Sequence, residues 1–418
     1  MAAVTQLTMV YWPGPESDAM QQVVNYWNNT EGASLGIKVS LLTFSRESFW
    51  DKEAAMMKAH SSIADIAYVA TYSLGSFVNY LVPFEEPLAS EISNSFIPSS
   101  VNSMSYNGKI YGVPLDVSIQ FLFYRKDLLN KLLTDKAWQE TYSELSKKYV
   151  GEALLPKPPQ DWNWKDYEAM SIFFTNKYNH SSPTEYGNVL QMENLIYNIM
   201  IWDDVLWSYG GSWFNKNGQF DINTPSAREA ALLYKNLYQL GTTPLDSTSY
   251  EFGEANQIFQ AGKAFMMIQW NAAYPILTDK QQSPLIWNNV GITHIPGPIP
   301  STHVHTLGVA LNKYSLHKEA ALKFLSFLTT EKAIQIYAEN GGMPPSEVVL
   351  EGMADSHPEY PELANDMKNY GFVESTSEYT MGILQELANE LTGIWTNQIS
   401  VENGLQKAQK DVEFLMQQ

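Results

Sequence analysis

Gly108–Leu129 reads GKIYGVPLDVSIQFLFYRKDLL, and the fold follows from it. Asn107-Gly108 stands between Tyr106 and the alternating run Lys109–Val113. Asn-Gly between alternating residues is a strong hairpin signal, because both turn positions need positive φ. Pro114 has no N–H for a ladder, so a strand there leaves its sheet or runs along an edge. Asp116 follows where a chain passing from one sheet to another would face a crevice. Phe121–Tyr124 then reads as a buried strand, and Lys126-Asp127-Leu128-Leu129 opens a helix.

Working outward, the chain before this stretch alternates strand and helix. Gln6–Tyr11, Ile37–Phe44 and Ile63–Ala70 have strand patterns. Between them lie a helix with Met20, Val23, Val24 and Trp27 on one face, capped by Ser17 or Asp18, and a second helix over Phe49–Ala59. Strand–helix–strand at these lengths implies parallel pairing with right-handed crossovers, and ligands bind beyond the carboxyl ends of such strands. Tyr11-Trp12, Ser45-Arg46 and Thr71-Tyr72 are therefore expected on one rim. Beyond the stretch, Asn130–Leu155 reads as a peripheral helical insertion and Asn163 caps a helix. Asp203-Asp204 has no clustered His or third carboxylate and reads as a solvated helix face. Thr224-Pro225 starts a helix that Gly241 ends, and Ala264–Ile268 is a buried strand leading to Trp270. His303 and His305 share a face as a metal-like pair, but no cysteine or nearby carboxylate completes a site, so no metal and no cofactor is expected.

Composition bounds the function. A chain of 418 residues that is 44% hydrophobic fits two globular domains. Lys+Arg 26 against Asp+Glu 45 gives −19, which disfavours nucleic acid and anionic membranes. No run of about 18 apolar residues spans a bilayer. The start, MAAVTQLTMV, has no charged or apolar leader; it fits a cytosolic protein, or an exported one whose signal segment was replaced by an initiator Met. Zero cysteines exclude disulfides and are compatible with removal of a lipoprotein's anchoring cysteine. Twelve Trp and 24 Tyr suit surfaces that hold amphipathic ligands.

Several segments resemble, in order, the extracellular solute-binding proteins of ABC importers, specifically the oligosaccharide-binding group (maltose-binding-protein-like, solute-binding family 1). Tyr111-Gly112-Val113-Pro114 with Tyr124–Leu129 is similar to that family's first interlobe crossing. Ala64–Glu86 resembles its third strand and following helix. Gln191–Phe214 resembles a strand end that offers polar and aromatic groups to the sugar. Tyr250–Leu277 resembles the segment that presents a stacking aromatic, here Trp270. Gly341-Gly342-Met343-Pro344-Pro345 resembles its Gly-Gly-x-Pro bend, and the last two helices resemble its carboxy-terminal pair.

The resemblance implies an α/β, two-lobed periplasmic-binding-protein fold with a ligand cleft between the lobes and three hinge crossings. One lobe is expected over 1–114 plus 308–350 and the other over 115–307 plus 351–418. It implies a monomeric extracytoplasmic protein, periplasmic or lipid-anchored, that binds a sugar or oligosaccharide and passes it to a membrane permease by hinge closure. Flat faces are expected from Trp12, Tyr72, Trp270 and Tyr274. Hydrogen-bonding groups are expected from Glu16, Ser45, Asp116, Gln191, Glu193, Asn194 and Asn271, with Tyr197 nearby and close backbone approach at Gly342 and Met343. The acidic members also suit a polyamine, and the same inventory would serve a glycoside-acting enzyme, which needs two carboxyls at a set separation. A cytosolic interaction protein is the third reading. Arg46 is the one strand-end cation in this set of turns.

Overall fold

The computed structural model describes residues 4–45 and 48–418. Arg46 lies outside the described residues. The chain divides into two compact units: the part up to Ser118 with Val304–Thr380, and Ile119–His303 with Met381–Gln418. The expected divisions at 114/115, 307/308 and 350/351 thus fall at 118/119, 303/304 and 380/381. The first two differ because residues 115–118 stay paired with His305–Leu307 in one ladder. The third differs because residues 351–380, expected in the second lobe, pack within the first unit. There Ser99 Oγ donates to the Met367 carbonyl at 2.9 Å, and Gly75 lies so close to Ser377 that a Cβ would sit 2.1 Å from its carbonyl oxygen.

In the first unit, Ile37–Leu42, Thr5–Val10 and Ile66–Ala70 run parallel in that order. His305–Asn312 then pairs antiparallel with Ile66–Ala70, and on its far side takes Gly112–Ser118 and Leu81–Val82. Pro114 therefore lies on an edge strand, and the ladder shifts register between Leu307 and Gly308, opposite it. A residue without an N–H is tolerated at such a place and not in a central strand. The preceding hairpin forms as expected, with Asn107 at φ 49° and Gly108 at φ 75° between Ser105–Tyr106 and Lys109–Ile110. The helix Pro15–Asn29 buries Ala19, Met20, Val23, Val24 and Trp27, the i, i+4 stripe that faces a sheet. Its cap is Gly14, not Ser17 or Asp18. Ser17 Oγ reaches back to accept from the Gly14 N–H at 3.2 Å and donates to its carbonyl at 2.8 Å.

The second unit holds a four-stranded sheet in the order Val290–Thr293, Gln120–Arg125, Ala264–Trp270, Tyr186–Val189. Every residue of Ala264–Trp270 is buried, as its continuous apolar run dictates. Two expectations need correction here. Asp203 and Asp204 are wholly buried in the helix Ile196–Ser208 and are no solvated face. Buried carboxyls need donors, and Trp213 Nε1 gives one to Asp203 at 2.9 Å while the His303 N–H gives one to Asp204 at 2.6 Å. The 130–155 segment is helical, but Lys136–Tyr149 is no peripheral attachment. Its Tyr142 is fully buried, and Trp138 meets the Phe173 ring edge-on at 5.3 Å.

Candidate functional site

The first unit gathers its candidates at the carboxyl edge of its parallel strands. Thr5–Val10 ends in Tyr11 and Trp12, Ile37–Leu42 runs on to Phe44 and Ser45, and Ile66–Ala70 ends in Thr71 and Tyr72. The antiparallel strand starts at the same edge with His305, because Leu307 faces Ala70. Trp12 is half-buried and lies nearly parallel to Tyr68 (centroids 6.5 Å apart, 18°) and 6.0 Å from Trp50. Trp50 meets Tyr72 edge-on at 5.6 Å, and Tyr72 stacks on His305 at 5.4 Å. Trp12, Trp50, Tyr68, Tyr72 and His305 thus form one aromatic floor. Ser45 is exposed, and its Oγ lies 2.7 Å from Ser48 Oγ. Glu16 is half-buried in the first turn of Pro15–Asn29.

Asp116 behaves otherwise than a hydroxyl acceptor facing solvent. It is 5% exposed, and its Oδ2 accepts from Tyr337 Oη at 2.8 Å and from the Met343 N–H at 3.0 Å. Burial pushes its carboxyl up to about 7, against the lowering effect of those two donors. Tyr11 Oη in turn donates to Tyr337 Oη at 3.1 Å. Gly342 packs against the Tyr337 ring where a Cβ would lie 2.2 Å away.

In the second unit the equivalent edge is formed by the ends of Tyr186–Val189 and Ala264–Trp270 and the start of Gln120–Arg125. Trp270 is 9% exposed and meets His303 edge-on at 6.1 Å, and His303 lies parallel to Trp207 at 5.8 Å. Asn271 is buried and serves the backbone: its Oδ1 accepts from the Ile119 N–H at 2.9 Å, and its own N–H donates to the Ile119 carbonyl at 2.8 Å. Gln191 Nε2 donates to the Ile268 carbonyl and to Gln269 Oε1. Gln191 Oε1 and Gln120 Nε2 are buried atoms with no hydrogen-bond partner among the described residues. Glu193 and Tyr274 are half-buried; Asn194 and Tyr197 are exposed, and Asn194 Nδ2 donates to Asn389 Oδ1 at 3.0 Å.

The structure therefore brings Trp12 and Tyr72 together in one unit, and Gln191, Trp270 and Asn271 to one sheet edge in the other. Asp116, Gly342 and Met343 form a separate fastening beside the first group. The sequence reading missed Trp50, Tyr68 and His305 in the floor, Tyr337 behind it, and Gln120, Trp207 and His303 in the second unit. Gln120 carried a usable signal, since a lone amide opening an otherwise apolar strand is costly unless paired or used. Among the described residues, no three His, Cys, Asp or Glu side chains gather to hold a metal ion, and His303 and His305 fall in different units.

Comparison with known proteins agrees with this architecture. The fold matches a maltose-bound protein from T. maritima with a TM-score of 0.73 at 23% identity, covering 99% of this chain and 100% of that one. In sequence, a Brucella abortus protein bearing the name of a binding protein is 28% identical over 289 residues, 68% of this chain and 62% of that protein. The galactooligosaccharide-binding protein of Bacillus subtilis is 23% identical over 256 residues, 58% of this chain and 50% of that protein. The chain thus spans less than two thirds of the length of these relatives. The described residues contain no helix long and apolar enough to cross a membrane. Residues 26–365 match the model of the bacterial extracellular solute-binding proteins, and the chain belongs to that family.

Proposed function

We propose that the chain binds a neutral sugar or oligosaccharide outside the cytoplasm and delivers it to the permease of an ABC importer. In the aromatic floor, the half-buried Trp12, Trp50 and His305, backed by the buried Tyr68 and Tyr72, offer ring faces of the kind that cover the C–H side of a sugar. Trp270 offers another in the second unit. Gln120 Nε2 is a buried donor and Gln191 Oε1 a buried acceptor at that unit's sheet edge, groups of the two kinds that a sugar hydroxyl engages. Glu16, Ser45, Glu193, Asn194, Asn271 and Tyr274 complete the proposed contact set. The relatives named for maltose and galactooligosaccharide support the ligand class. The three chain crossings between the units supply the few backbone positions that hinge closure needs. A cleaved signal segment and a lipid anchor belong to the same proposal.

The observation that carries the neutral ligand is the engagement of Asp116 with Tyr337 and Met343. A polyamine would require that carboxylate for itself. A glycoside-acting enzyme would require two carboxyls at a set separation on one substrate; Asp116, Asp203 and Asp204 are each taken up by internal donors instead. A thermal-shift panel of maltose, maltotriose, galactobiose, mannitol, spermidine and glucose 6-phosphate tests the reading. A saccharide at a hundredfold excess over its dissociation constant should stabilise the protein by about 2.7 kcal/mol. A shift with spermidine alone, or with the phosphoester alone, overturns it.

A further inference from the structure

The bend Gly341–Pro345 is fastened to the edge strand Gly112–Ser118 by a reciprocal pair of bonds. The Val117 N–H donates to the Met343 carbonyl at 2.9 Å, and the Met343 N–H donates to Asp116 Oδ2 at 3.0 Å. That same oxygen receives Tyr337 Oη, which receives Tyr11 Oη. The bend has adjacent prolines at 344 and 345, and so offers few N–H groups of its own for anchoring. The bend is also held through the Pro345 carbonyl, which accepts from the Ile97 N–H at 2.8 Å, and through the Gly342 N–H, which donates to the Tyr337 carbonyl at 3.0 Å. Asp116 is the side chain that takes the Met343 N–H, in a segment that the sequence marks for close ligand approach.

We propose that Asp116 is a positioning residue: it clasps the Gly341–Pro345 bend and acts on a bound sugar only through Met343. The sugar half of this inference rests on the binding function proposed above; the clasp itself does not. Asp116 Oδ2 is already taken by two donors, Tyr337 Oη and the Met343 N–H, so the carboxylate is committed to the bend. Charge-assisted bonds are about twice as strong as neutral ones, so the clasp tightens when Asp116 ionises and slackens when it is protonated. Burial places that change near neutral pH, and Glu16 on the helix Pro15–Asn29 pushes in the same direction. The other titratable groups that couple to Asp116 are Tyr11, Tyr68, Tyr337 and Tyr360, from four different segments. Burial raises all four hydroxyls above their ordinary range, so they stay neutral while Asp116 titrates.

Amide hydrogen exchange of the full chain without ligand tests the clasp, at pH 6, 7 and 8 with intrinsic rates normalised. Protection of the Met343 amide in the wild-type protein should rise several-fold from pH 6 to pH 8, and Asp116→Asn should show low protection with no such rise. Tyr337→Phe retains the ring and loses one donor, so its rise should occur at higher pH; this variant carries the test if the asparagine variant does not fold. Titration with maltotriose, galactobiose and mannitol then tests the positioning role. The wild-type affinity for whichever binds should weaken toward pH 6, and Asp116→Asn should bind about tenfold more weakly at pH 8 with a flat profile. Equal, pH-independent protection in all three proteins overturns the clasp. A loosened bend with unchanged sugar affinity overturns the positioning role. Binding of none of the three probes, with the exchange pattern as expected, overturns the sugar reading and leaves the clasp standing.

Discussion

The His303 backbone N–H donates to Asp204 Oδ1 at 2.6 Å, so the last residue before a unit boundary is tied to the helix Ile196–Ser208. Asp204→Ala removes the acceptor and leaves a buried donor, which should destabilise the protein by about 1–3 kcal/mol. Asp204→Asn retains an acceptor and should cost much less. Burial raises the Asp204 carboxyl above its ordinary range. The group therefore contributes stability that is complete at low pH and lost as pH rises through its folded-state value. Urea unfolding from pH 4 to 8 should show a shallower decline for Asp204→Asn than for the wild type. Parallel profiles would contradict the assignment.

Tyr142 is fully buried, and its Oη has no hydrogen-bond partner among the described residues. Tyr142→Ala opens a cavity between Lys136–Tyr149 and the Phe173 region and should cost about 3–5 kcal/mol. Tyr142→Phe removes an unsatisfied polar atom without a cavity and should be neutral or stabilising by about 1 kcal/mol. Chemical denaturation of both variants checks the pair. A Phe variant as damaged as the Ala variant would mean that the hydroxyl is in use.

The two glycines of the bend should respond differently. Gly342 faces the Tyr337 ring at 2.2 Å from a would-be Cβ, whereas Gly341 has open space but φ 98°. Gly342→Ala must displace the ring that donates to Asp116, at about 1–3 kcal/mol. Gly341→Ala carries backbone strain alone, and about 1 kcal/mol is expected. Near-ultraviolet circular dichroism should change for Gly342→Ala because a tyrosine moves. An unchanged spectrum would mean that the bend yields instead.

Much of the fold was legible because its signals are local. Asn107-Gly108 needs only its own two φ angles, and Asn163 and Thr224 need only the N–H three residues on. The sheet edges followed from strand–helix alternation, which placed Trp12, Tyr72 and Trp270 correctly at strand ends. What the sequence does not display depends on residues distant along the chain. Asp203-Asp204 looks like a solvated pair until Trp213 and His303 supply their donors, and His303 lies 99 residues from Asp204. Asp116 reads as a lone carboxylate at a crevice, but its donor, the Met343 N–H, is 227 residues away. The packing of residues 351–380 within the first unit leaves no mark in periodicity.

Ring faces and carboxylates should be separable by salt. Trp12→Ala and Trp270→Ala should each weaken binding of a neutral saccharide by about 1–3 kcal/mol, mostly through lost apolar contact, with slight salt dependence. Calorimetric titration at low and high ionic strength checks this. Loss of affinity that collapses in salt would point to an ionic ligand instead, since exposed charge interactions are screened beyond about 10 Å at 0.1 M.

Asp116 should act on global stability with the sign opposite to its action on the bend. Burial raises its folded-state value to about 7, well above the usual carboxylate range, so the fold favours the neutral carboxyl. The stability it contributes is complete below about pH 4 and is lost as pH rises through about 7. The gap corresponds to roughly 4 kcal/mol, at 1.36 kcal/mol for each pH unit. Asp116→Asn carries no such term, so its stability should gain on that of the wild type between pH 5 and pH 8. Over the same interval the wild-type bend should become better protected. A carboxylate that merely supported the core would loosen both together, because local order there would follow global stability. Unfolding by urea and exchange at the Met343 amide, measured on the same samples, should therefore move in opposite directions. If both fall as the pH rises, Asp116 is a buried liability and no clasp.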